Sequence, residues 1–369
     1  MSPITSSAPR NYRRPKLFEP IKFRDVTVRN RIMMSPMCQY CAPEAVPLEW
    51  HYIHLGSRAV GGAGIIMTEA TAVEARGRIT PYCLGLWHDE QETAFSRIAK
   101  FVAEQGAVPG IQLAHAGRKA SHRRPWEDRT AIYPDEGGWQ VVGPSAMPWE
   151  PGDLVPHALS SDEIGEVILK FKASAERALR AGFRLIEIHA AHGYLLHSFL
   201  SPLSNQRNDQ YGGNLDNRMR FLLDTITAVR EVWPDEYPLF VRLSATDWVE
   251  DGLTLEDTLT ISKKLASLGI DLIDCSSGGN SYKQKVPIHP GYQVPFSEAV
   301  RREAGIRTGA VGLIDSAELA EEIVANHRAD IIILGRLMLW DPYWPYHAAS
   351  QLGAEVNLPI QYARSGIYA

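Results

Sequence analysis

The chain has 369 residues, of which 45% are hydrophobic and 22% are charged, and its formal net charge is −5. This composition is typical of a globular protein, and the net negative charge gives no reason to expect a nucleic-acid partner. No apolar run approaches the roughly 18 residues that a membrane-spanning helix needs, and the N-terminus lacks the apolar segment of a secretory signal. We therefore expect no membrane association and a cytoplasmic location.

The predicted elements begin after residues 1–15, a segment rich in Pro, Ser and Arg that we expect to be a mobile arm. Eight short apolar runs follow, each typical of a buried strand. In chain order they are "NRIMMSPM", "GIIMTEATAV", "PGIQLAHAG", "RLIEIHAAH", "LFVRLSATD", "IDLIDCSSG", "IRTGAVGLI" and "DIIILGR". Such uniformly apolar runs indicate strands buried on both faces, as in a parallel sheet.

Segments of helical period separate these runs. They are "EWHYIHLGSRAVGG", "ETAFSRIAKFVAEQG", "SDEIGEVILKFKASAERALRAG", "LDNRMRFLLDTITAVREVW", "TLEDTLTISKKLASLG", "FSEAVRREAG" and "SAELAEEIVANHRA". The start "SDEIGE" predicts a Ser or Asp N-cap. The alternation predicts an α/β protein, a single-domain (β/α)8 TIM barrel over residues 16–369. A doubly wound open sheet is the alternative, although no G-x-G-x-x-G follows the first strand.

One stretch, residues 119–157, does not fit the repeat. It carries many Pro, Gly and Trp residues without a sustained period. We interpret it as a long excursion after the third strand and not as a second domain. Loops of this length often form a wall or lid of a site.

The four cysteines, Cys38, Cys41, Cys83 and Cys275, are too sparse for a disulfide framework in a chain of this length. Cys38 and Cys41 form a C-x-x-C pair, but no second such pair completes a four-sulfur zinc site. A single functional cysteine is the favoured interpretation.

Polar residues are expected at the C-terminal ends of the strands, where barrels of this type carry their active sites. The fourth predicted strand ends in His189 and His192, and Tyr194 follows two residues later. These residues alone allow metal binding, acid/base chemistry or an ordinary helix start. A metal-dependent hydrolase would need further ligands, and neighbouring strand ends offer Glu69, His115 and Asp247. The cations in the same mouth argue against that alternative.

The seventh and eighth predicted strands end in "GAVG" and "GR". Glycine-rich loops after these two strands frequently bind a phosphate through backbone N–H groups. Arg336 adds a fixed cation at the end of the eighth strand. The pattern therefore predicts a phosphate-bearing ligand at this side of the barrel mouth.

Six motifs occur together and in order: "SPMCQY", "IQLAHAGRKA", "EIHAAHGYLLHSFLSPLSNQRNDQYGG", "NRMRF", "LFVRLSATD" and "LIDCSSG". In this combination the chain resembles the Old Yellow Enzyme family of flavin-dependent ene-reductases, and within it the thermophilic-like, or xenobiotic-reductase-like, branch. The resemblance covers residues 16–364. It implies a barrel that binds FMN non-covalently across its mouth.

The resemblance also implies roles for single residues. Gln112 would bond the pyrimidine edge of the flavin, and Arg242 would lie near the part of the ring that turns negative on reduction. Cys38 would tune the flavin as a thiol and not act as a nucleophile. The implied cofactor-binding set is Ser35, Pro36, Met37, Cys38, Ala70, Gln112, Arg242, Gly312, Gly335 and Arg336.

In the same interpretation, His189 and His192 donate hydrogen bonds to the carbonyl oxygen of an α,β-unsaturated substrate, and Tyr194 protonates its α-carbon. Tyr40 resembles a second phenol that helps bind the substrate oxygen. The implied activity is an NADPH dehydrogenase or ene-reductase that takes enones, enals, maleimides and, more broadly, nitro compounds, with NADPH or NADH as reductant. A non-catalytic flavin-binding sensor is the alternative from a different class.

The chain ends in "PIQYARSGIYA", similar to the tail of that branch, whose arginine crosses a dimer interface into the neighbouring active site. Arg364 occupies that place in the tail, residues 360–369. The resemblance thus implies a homodimer, or a dimer of dimers, in which Arg364 takes part in substrate binding. Trp340 stands where relatives carry another arginine, and Lys119 is expected either near the flavin pocket or exposed on a loop.

Overall fold

The computed structural model describes residues 14–365 of the chain. The part of the N-terminal arm that spans residues 1–13 lies outside the described residues. The strands of the described part are β1 (Ile21–Phe23), β2 (Val26–Val28), β3 (Ile32–Met34), β4 (Ile65–Ala72), β5 (Val108–Ala114), β6 (Val142–Gly143), β7 (His157–Ala158), β8 (Leu185–Ala190), β9 (Leu239–Ser244), β10 (Leu272–Ser276), β11 (Thr308–Ala310) and β12 (Ile331–Leu334).

Eight of these strands close into a parallel barrel in the order β3, β4, β5, β8, β9, β10, β11, β12, with β12 pairing back to β3. Each of the eight predicted apolar runs corresponds to one barrel strand, and only β5 extends beyond its run, by one residue at Val108. The predicted (β/α)8 barrel is therefore confirmed. The open-sheet alternative is wrong, because the first and last strands hydrogen-bond to each other.

The helices form the outer layer. They are α1 (Glu49–Val60), α2 (Asp89–Glu104), α3 (Ser161–Arg180), α4 (Leu195–Leu200), α5 (Leu215–Arg230), α6 (Leu255–Ser267), α7 (Val294–Ala304), α8 (Ala317–Ala325), α9 (Arg336–Trp340) and α10 (Trp344–Leu352). Short 3₁₀ segments lie at Lys16–Phe18, Pro43–Ala45, Ala75–Gly77, Gly117–Lys119, Pro134–Glu136 and Ile360–Ser365. No helix within residues 14–365 has the length and apolar character needed to cross a membrane.

The start of α3 shows how the sequence specifies a helix end. The Ser160 hydroxyl accepts a hydrogen bond from the Glu163 N–H at 3.2 Å, and the Glu163 carboxylate accepts one from the Ser160 N–H at 2.7 Å. This reciprocal capping box satisfies two backbone donors that the helix itself leaves free. The cap is one residue earlier than the predicted Ser or Asp of "SDEIGE", since Ser161 already lies inside the helix.

The barrel interior is layered. Near the N-terminal ends of the strands it is apolar, with Phe240 and Leu272 in one buried cluster with residues of the β1–β2 hairpin. Phe23 of that hairpin packs edge-to-face on Phe240, with ring centroids 5.0 Å apart. Two residues further along β9 the buried Arg242 begins a polar layer. The hairpin therefore closes one end of the barrel, and the polar end is the one left for a site.

The predicted excursion, residues 119–157, carries only the short β6 strand, the start of β7 and the Pro134–Glu136 turn as regular structure beyond Lys119. Its inner end is fixed by Ser121, whose hydroxyl donates to the Ile132 carbonyl at 2.7 Å. Its outer end is fixed by Arg207, which donates to the Pro144 carbonyl at 3.0 Å. Both anchors lie next to the helices that follow β5 and β8, so the excursion covers one side of the barrel mouth.

Candidate active site

The strand registers bring the predicted site residues to one end of the barrel. Ala70 of β4 lies opposite Gln112 of β5, and His189 of β8 lies opposite Arg242 of β9. Ser35 directly follows β3, and its hydroxyl is 3.4 Å from the Arg242 Nη1. The predicted residues from five different strands thus meet around Arg242.

The end of β8 holds three aromatic rings in contact. The His189 Nε2 lies 3.2 Å from the His192 Nδ1, and the Tyr194 ring centroid is 4.8 Å from that of His189. His192 and Tyr194 are partly buried, and His189 is fully buried. The motif singled out in the sequence is therefore a single compact cluster.

Hydrogen bonds define which imidazole nitrogens carry protons. The Ala191 N–H donates to the His189 Nδ1 at 3.2 Å, so the proton of a neutral His189 is on Nε2, which donates to His192. The His192 proton is then on Nε2, which lies 2.7 Å from the Ser276 hydroxyl. The chain of donors ends at Ser276, a residue that the sequence analysis did not single out.

Both imidazoles are neutral at ordinary pH. Burial lowers the pKa of His189 and of His192 well below the usual histidine value, and the nearby Arg242 guanidinium lowers both further. A neutral imidazole offers one N–H donor and one acceptor nitrogen. The pair can therefore donate hydrogen bonds without bringing a formal positive charge into the site.

A buried hydrogen-bond network fixes the turn that carries His192. His192 and Gly193 both have left-handed backbone angles, φ 61° and φ 75°. The His197 Nδ1 accepts a hydrogen bond from the Gly193 N–H at 2.8 Å, and its Nε2 lies 3.2 Å from the Asp247 Oδ1. The Ser201 hydroxyl donates to the other Asp247 oxygen at 2.6 Å. Asp247 thus supports the turn.

The other two residues that a metal site would need are also committed elsewhere. His115 pairs with Glu74 at 2.9 Å and accepts a hydrogen bond from the Gly117 N–H at 3.0 Å. Glu69 lies 3.4 Å from His51 and accepts a hydrogen bond from the Gln39 N–H at 3.1 Å. Within residues 14–365 no group of three or more His, Cys, Asp or Glu is arranged to hold a metal ion.

Cys38 is a protonated thiol. Burial raises its pKa well above the usual cysteine value, and the neighbouring Glu69 carboxylate raises it further. Its sulfur interacts with the Ala70 backbone and with the Tyr40 side chain. This environment suits a weak S–H donor and not a nucleophilic thiolate. All four cysteines are free thiols in the structure.

A buried polar layer adjoins the histidines inside the barrel: Arg242 lies opposite His189, and Glu187 is two residues before His189 on β8. Gln112 Nε2 donates to the Glu187 carboxyl at 2.8 Å, and Arg242 Nε forms an ion pair with Asp274 at 3.1 Å. Burial raises the pKa of Glu187 to about 8 and that of Asp274 to about 6, and the Asp274 charge also raises the former. Sequence reasoning missed Glu187 and Asp274. Their only signal was an acidic residue at an inward-facing position of an otherwise apolar strand.

The predicted phosphate residues lie on the other side of the mouth. Gly312 has φ 124°, and a Cβ there would lie 3.0 Å from the Tyr292 ring. The Arg336 side chain is exposed, and its charge also acts on Tyr292, where it opposes the rise in pKa that burial causes. Gly335 precedes Arg336 at the end of β12. These three predicted residues therefore border one region.

A cavity of about 840 Å³ opens beside Tyr40 and Tyr194 and is walled mainly by the excursion. Lys119 lies in this cavity: its Nζ donates to the carbonyls of His192 and Gly279, each at 2.9 Å, and sits 4.6 Å above the Trp149 ring. Burial lowers the pKa of Lys119 to about 7. Lys119 is therefore a wall of the pocket and not an exposed loop residue.

The two residues singled out near the C-terminus, Trp340 and Arg364, lie on the surface. Trp340, at the end of α9, is 90% exposed. Arg364 is exposed in the last 3₁₀ segment, where Tyr362 packs against Tyr343 with ring centroids 6.4 Å apart. Within residues 14–365 the Arg364 guanidinium makes no hydrogen bond or ion pair.

The donor set around Arg242 fits the pyrimidine edge of a flavin, where carbonyl oxygens flank an N–H group. Gln112 uses its amide N–H to bind Glu187, which leaves its carbonyl oxygen for an N–H partner. Arg242 makes one long hydrogen bond, to Ser35, and one ion pair, so most of its N–H donors are uncommitted within the described residues. Gly312 and Arg336, which both lie beside Tyr292, border a region that would suit a phosphate.

Comparison with known proteins shows the family of the chain. The sequence model of the NADH:flavin oxidoreductase / NADH oxidase family matches residues 16–355. The chain is 49% identical over 350 residues to an NADPH dehydrogenase of Geobacillus sp. (strain WCH70), covering 94% of this chain and 98% of the relative. It is 48% identical over 352 residues to an NADPH dehydrogenase of Listeria innocua, covering 95% and 99%.

Solved structures agree. Morphinone reductase superposes with a TM-score of 0.77 at 28% identity, covering 97% of this chain and 94% of that chain. The Old Yellow Enzyme homologue from Zymomonas mobilis gives 0.76 at 28% identity, covering 96% and 97%. The chain therefore belongs to the NADH:flavin oxidoreductase / NADH oxidase family, with the Old Yellow Enzymes, and is an FMN-dependent oxidoreductase that takes its electrons from a nicotinamide dinucleotide.

Proposed function

We propose that this protein is an ene-reductase, which uses NADPH to reduce the activated C=C bond of α,β-unsaturated carbonyl compounds: enones, enals, maleimides and, more broadly, nitro compounds. The observation that carries the proposal is the neutral His189–His192 pair packed against Tyr194 beside the Arg242 cation. It is an arrangement of hydrogen-bond donors and a proton donor with no nucleophile among them.

FMN would lie across the barrel mouth, held non-covalently. Arg242 and Gln112 would bind its pyrimidine edge, while Cys38 would donate weakly to the ring. The other residues in contact would be Ser35, Pro36, Met37 and Ala70 along the ring and Gly312, Gly335 and Arg336 at the phosphate. When bound, FMN supplies the hydride for the reaction.

The histidine pair would bind the carbonyl oxygen of the substrate. Negative charge grows on this oxygen as the β-carbon accepts hydride, and preorganised donors stabilise that charge. The Nε2 protons of His189 and His192, now directed at the His192 Nδ1 and the Ser276 hydroxyl, would turn to this oxygen by exchange of acceptors. Tyr40, at the edge of the same cavity, would add a phenol to the substrate-binding side.

Tyr194 would deliver the proton to the α-carbon. Burial raises the pKa of its phenol well above the usual value, so the hydroxyl stays protonated at neutral pH. It borders the 840 Å³ cavity, which gives it access to a bound substrate. A general acid must be protonated and must lie next to the reacting group, and the Tyr194 phenol meets both requirements beside the proposed carbonyl site.

An anaerobic titration of the purified protein tests the proposed function. NADPH should bleach the yellow flavin absorbance, and 2-cyclohexenone should restore it with formation of cyclohexanone. A flavoprotein that NADPH reduces but that none of the enone, enal, maleimide or nitro substrates reoxidises would contradict the proposal. Replacing NADPH with NADH in the first step measures the preference for the reductant.

We also propose a homodimer, or a dimer of dimers, in which Arg364 of one subunit reaches the substrate site of another. The support is the exposed Arg364 guanidinium, which has no hydrogen-bond or ion-pair partner within residues 14–365, in a tail that packs on Tyr343. Nearby exposed apolar side chains, Trp340 at 90% and Ile360 at 81% exposure, suit a subunit contact.

A further inference from the structure

The polar layer inside the barrel joins four buried side chains in two pairs. Gln112 donates to Glu187 at 2.8 Å, and Arg242 faces Asp274 at 3.1 Å. The strand registers make these pairs direct neighbours, because Gln112 is opposite Glu187 and Asp274 is opposite Arg242. The two carboxyls are 0% exposed. Neither lines the cavity beside Tyr194.

This layer holds two carboxyls but only one guanidinium. The second Glu187 oxygen has no hydrogen-bond partner among the described residues, and Asp274 is held by an ion pair and not by an aligned hydrogen bond. Burying carboxyls with so few partners is costly, and a purely structural role would be served as well by apolar side chains of similar volume. The acidic residues therefore call for a functional reason.

We propose that Glu187 and Asp274 are positioning residues for the flavin: Glu187 fixes the Gln112 amide with its carbonyl oxygen towards the barrel mouth, and Asp274 orients Arg242 and offsets part of its charge, which sets the reduction potential of bound FMN. The inference rests on the proposed placement of Gln112 and Arg242 at the pyrimidine edge of the flavin.

The role of Glu187 follows from amide chemistry. A Gln side chain can present either its N–H₂ or its carbonyl oxygen, and the two ends differ little in shape. The Glu187 carboxyl accepts a hydrogen bond from the Gln112 Nε2 at 2.8 Å, and this bond turns the Gln112 carbonyl oxygen the other way. The flavin N–H at the pyrimidine edge requires an acceptor. Without Glu187, the amide would rotate freely and bind the flavin less well.

The role of Asp274 follows from its charge. An arginine next to the flavin favours the reduced form, because that form carries negative charge on the pyrimidine side. A buried carboxylate 3.1 Å from the same guanidinium weakens this effect. Neutralising Asp274 should therefore favour reduced over oxidised FMN.

Two variants test the inference with readouts that need no enone. In Asp274→Asn, reduced FMN should bind about tenfold tighter relative to oxidised FMN, an upward shift of the two-electron midpoint potential of about 30 mV. In Glu187→Leu, the dissociation constant of oxidised FMN should rise about tenfold, as expected for loss of a buried hydrogen-bond acceptor. Glu187→Gln keeps an acceptor oxygen and should recover most of that affinity.

Asp271→Asn is the matched control. Asp271 precedes β10, three residues before Asp274, and is paired with Arg24 and Arg230 at the opposite end of the barrel. It should cost stability without moving the potential. An unchanged potential in Asp274→Asn overturns the inference. So does oxidised-FMN affinity in Glu187→Leu equal to that of the unmodified chain.

If Glu187→Leu does not fold, the potential of Asp274→Asn decides alone. Because potentials and FMN affinities are measured without substrate, a failure to reduce enones would count against the proposed function and leave this inference standing.

Discussion

Tyr194 keeps its proton because its surroundings disfavour the charged phenolate. Burial raises the pKa of the phenol, so the hydroxyl is available as an acid at neutral pH. For Tyr194→Phe we expect a loss of turnover of at most about a hundredfold, at the low end for a general acid, because solvent can protonate some products. The measurement is kcat with several enones at unchanged FMN content. Full activity with every substrate would remove Tyr194 as the proton donor.

Glu187 makes a second prediction, on stability and pH. Its pKa is about 8 in the folded protein, and the groups that face it are Asp274, Arg242 and Gln112. The unfolded chain loses this proton near pH 4, so the folded state binds one more proton between about pH 4 and pH 8. The free energy of unfolding should therefore fall as pH rises through that window.

Glu187→Gln removes this titration. Between about pH 5 and pH 8.5, the free energy of unfolding of the unmodified chain should fall by about 2 to 4 kcal/mol more than that of the variant. Melting temperatures recorded at both pH values test the difference. Parallel stability curves for the two proteins would show that Glu187 is ionised throughout the window.

Single residues were predictable where their chemistry is unusual for the position. His189, His192 and Tyr194 stand out because they follow an apolar strand directly. Ser276 did not stand out, because a Ser at the end of a strand is common and only the folded registers bring it to His192. His197 did not stand out, because it lies inside the short helix α4 and its partner Asp247 follows β9. A linear pattern does not encode a partner that another strand supplies.

At the scale of elements, the turn between β8 and α4 depends on a close approach of backbones. Gly193 has φ 75°, and a Cβ there would lie 2.4 Å from the Gly279 carbonyl oxygen, which follows β10. Gly213 also has a positive φ, 82°, but no atom lies within 4 Å of its Cβ position. Both glycines have a left-handed backbone, but only at Gly193 would an added Cβ meet another atom.

Gly193→Ala should therefore destabilise the protein by about 3 kcal/mol, from left-handed strain plus the backbone clash, and should reduce turnover by moving His192. Gly213→Ala should cost only about 1 kcal/mol and leave turnover unchanged. Denaturant unfolding and kcat of both variants make the comparison. Equal costs would mean that the β8 turn and the β10 loop are free to move apart.

The eight barrel strands and seven of the helices were predictable because each lies in an apolar or periodic run long enough to show a pattern, even where the strand itself has three residues, as in β3 and β11. The β1–β2 hairpin, β6, β7, α4, α9 and α10 were not predicted. The strands among them have two or three residues and no longer apolar run around them, and α4 and α9 have six and five residues, too few positions for a pattern. The β1–β2 hairpin nonetheless closes the barrel at the N-terminal ends of its strands. An important part of the fold is therefore made by strands too short for a sequence pattern to show.

At the scale of the whole molecule, the tail makes a prediction about assembly. A chain that ends at Tyr362 keeps the contact with Tyr343 but lacks Arg364. We expect it to retain FMN, to lose enone turnover and to bind substrate more weakly, since each site would lack the arginine of its neighbour. Arg364→Ala in the full chain should reproduce the kinetic change without altering the mass measured by light scattering. Normal kinetics in both proteins would rule out a shared site.

The proposed function depends most on the histidine pair, which would activate a carbonyl group for hydride transfer. The most direct measurement is anaerobic stopped-flow reoxidation of the NADPH-reduced protein by 2-cyclohexenone, in the unmodified chain and in His189→Ala and His192→Ala. We predict that each variant keeps its FMN and reoxidises about ten- to a thousandfold more slowly with the enone, the loss typical of removing one such donor. Reoxidation by ferricyanide, which has no carbonyl to bind, should be unchanged. If both variants reduce the enone as fast as the unmodified chain, the histidine pair does not activate the carbonyl group.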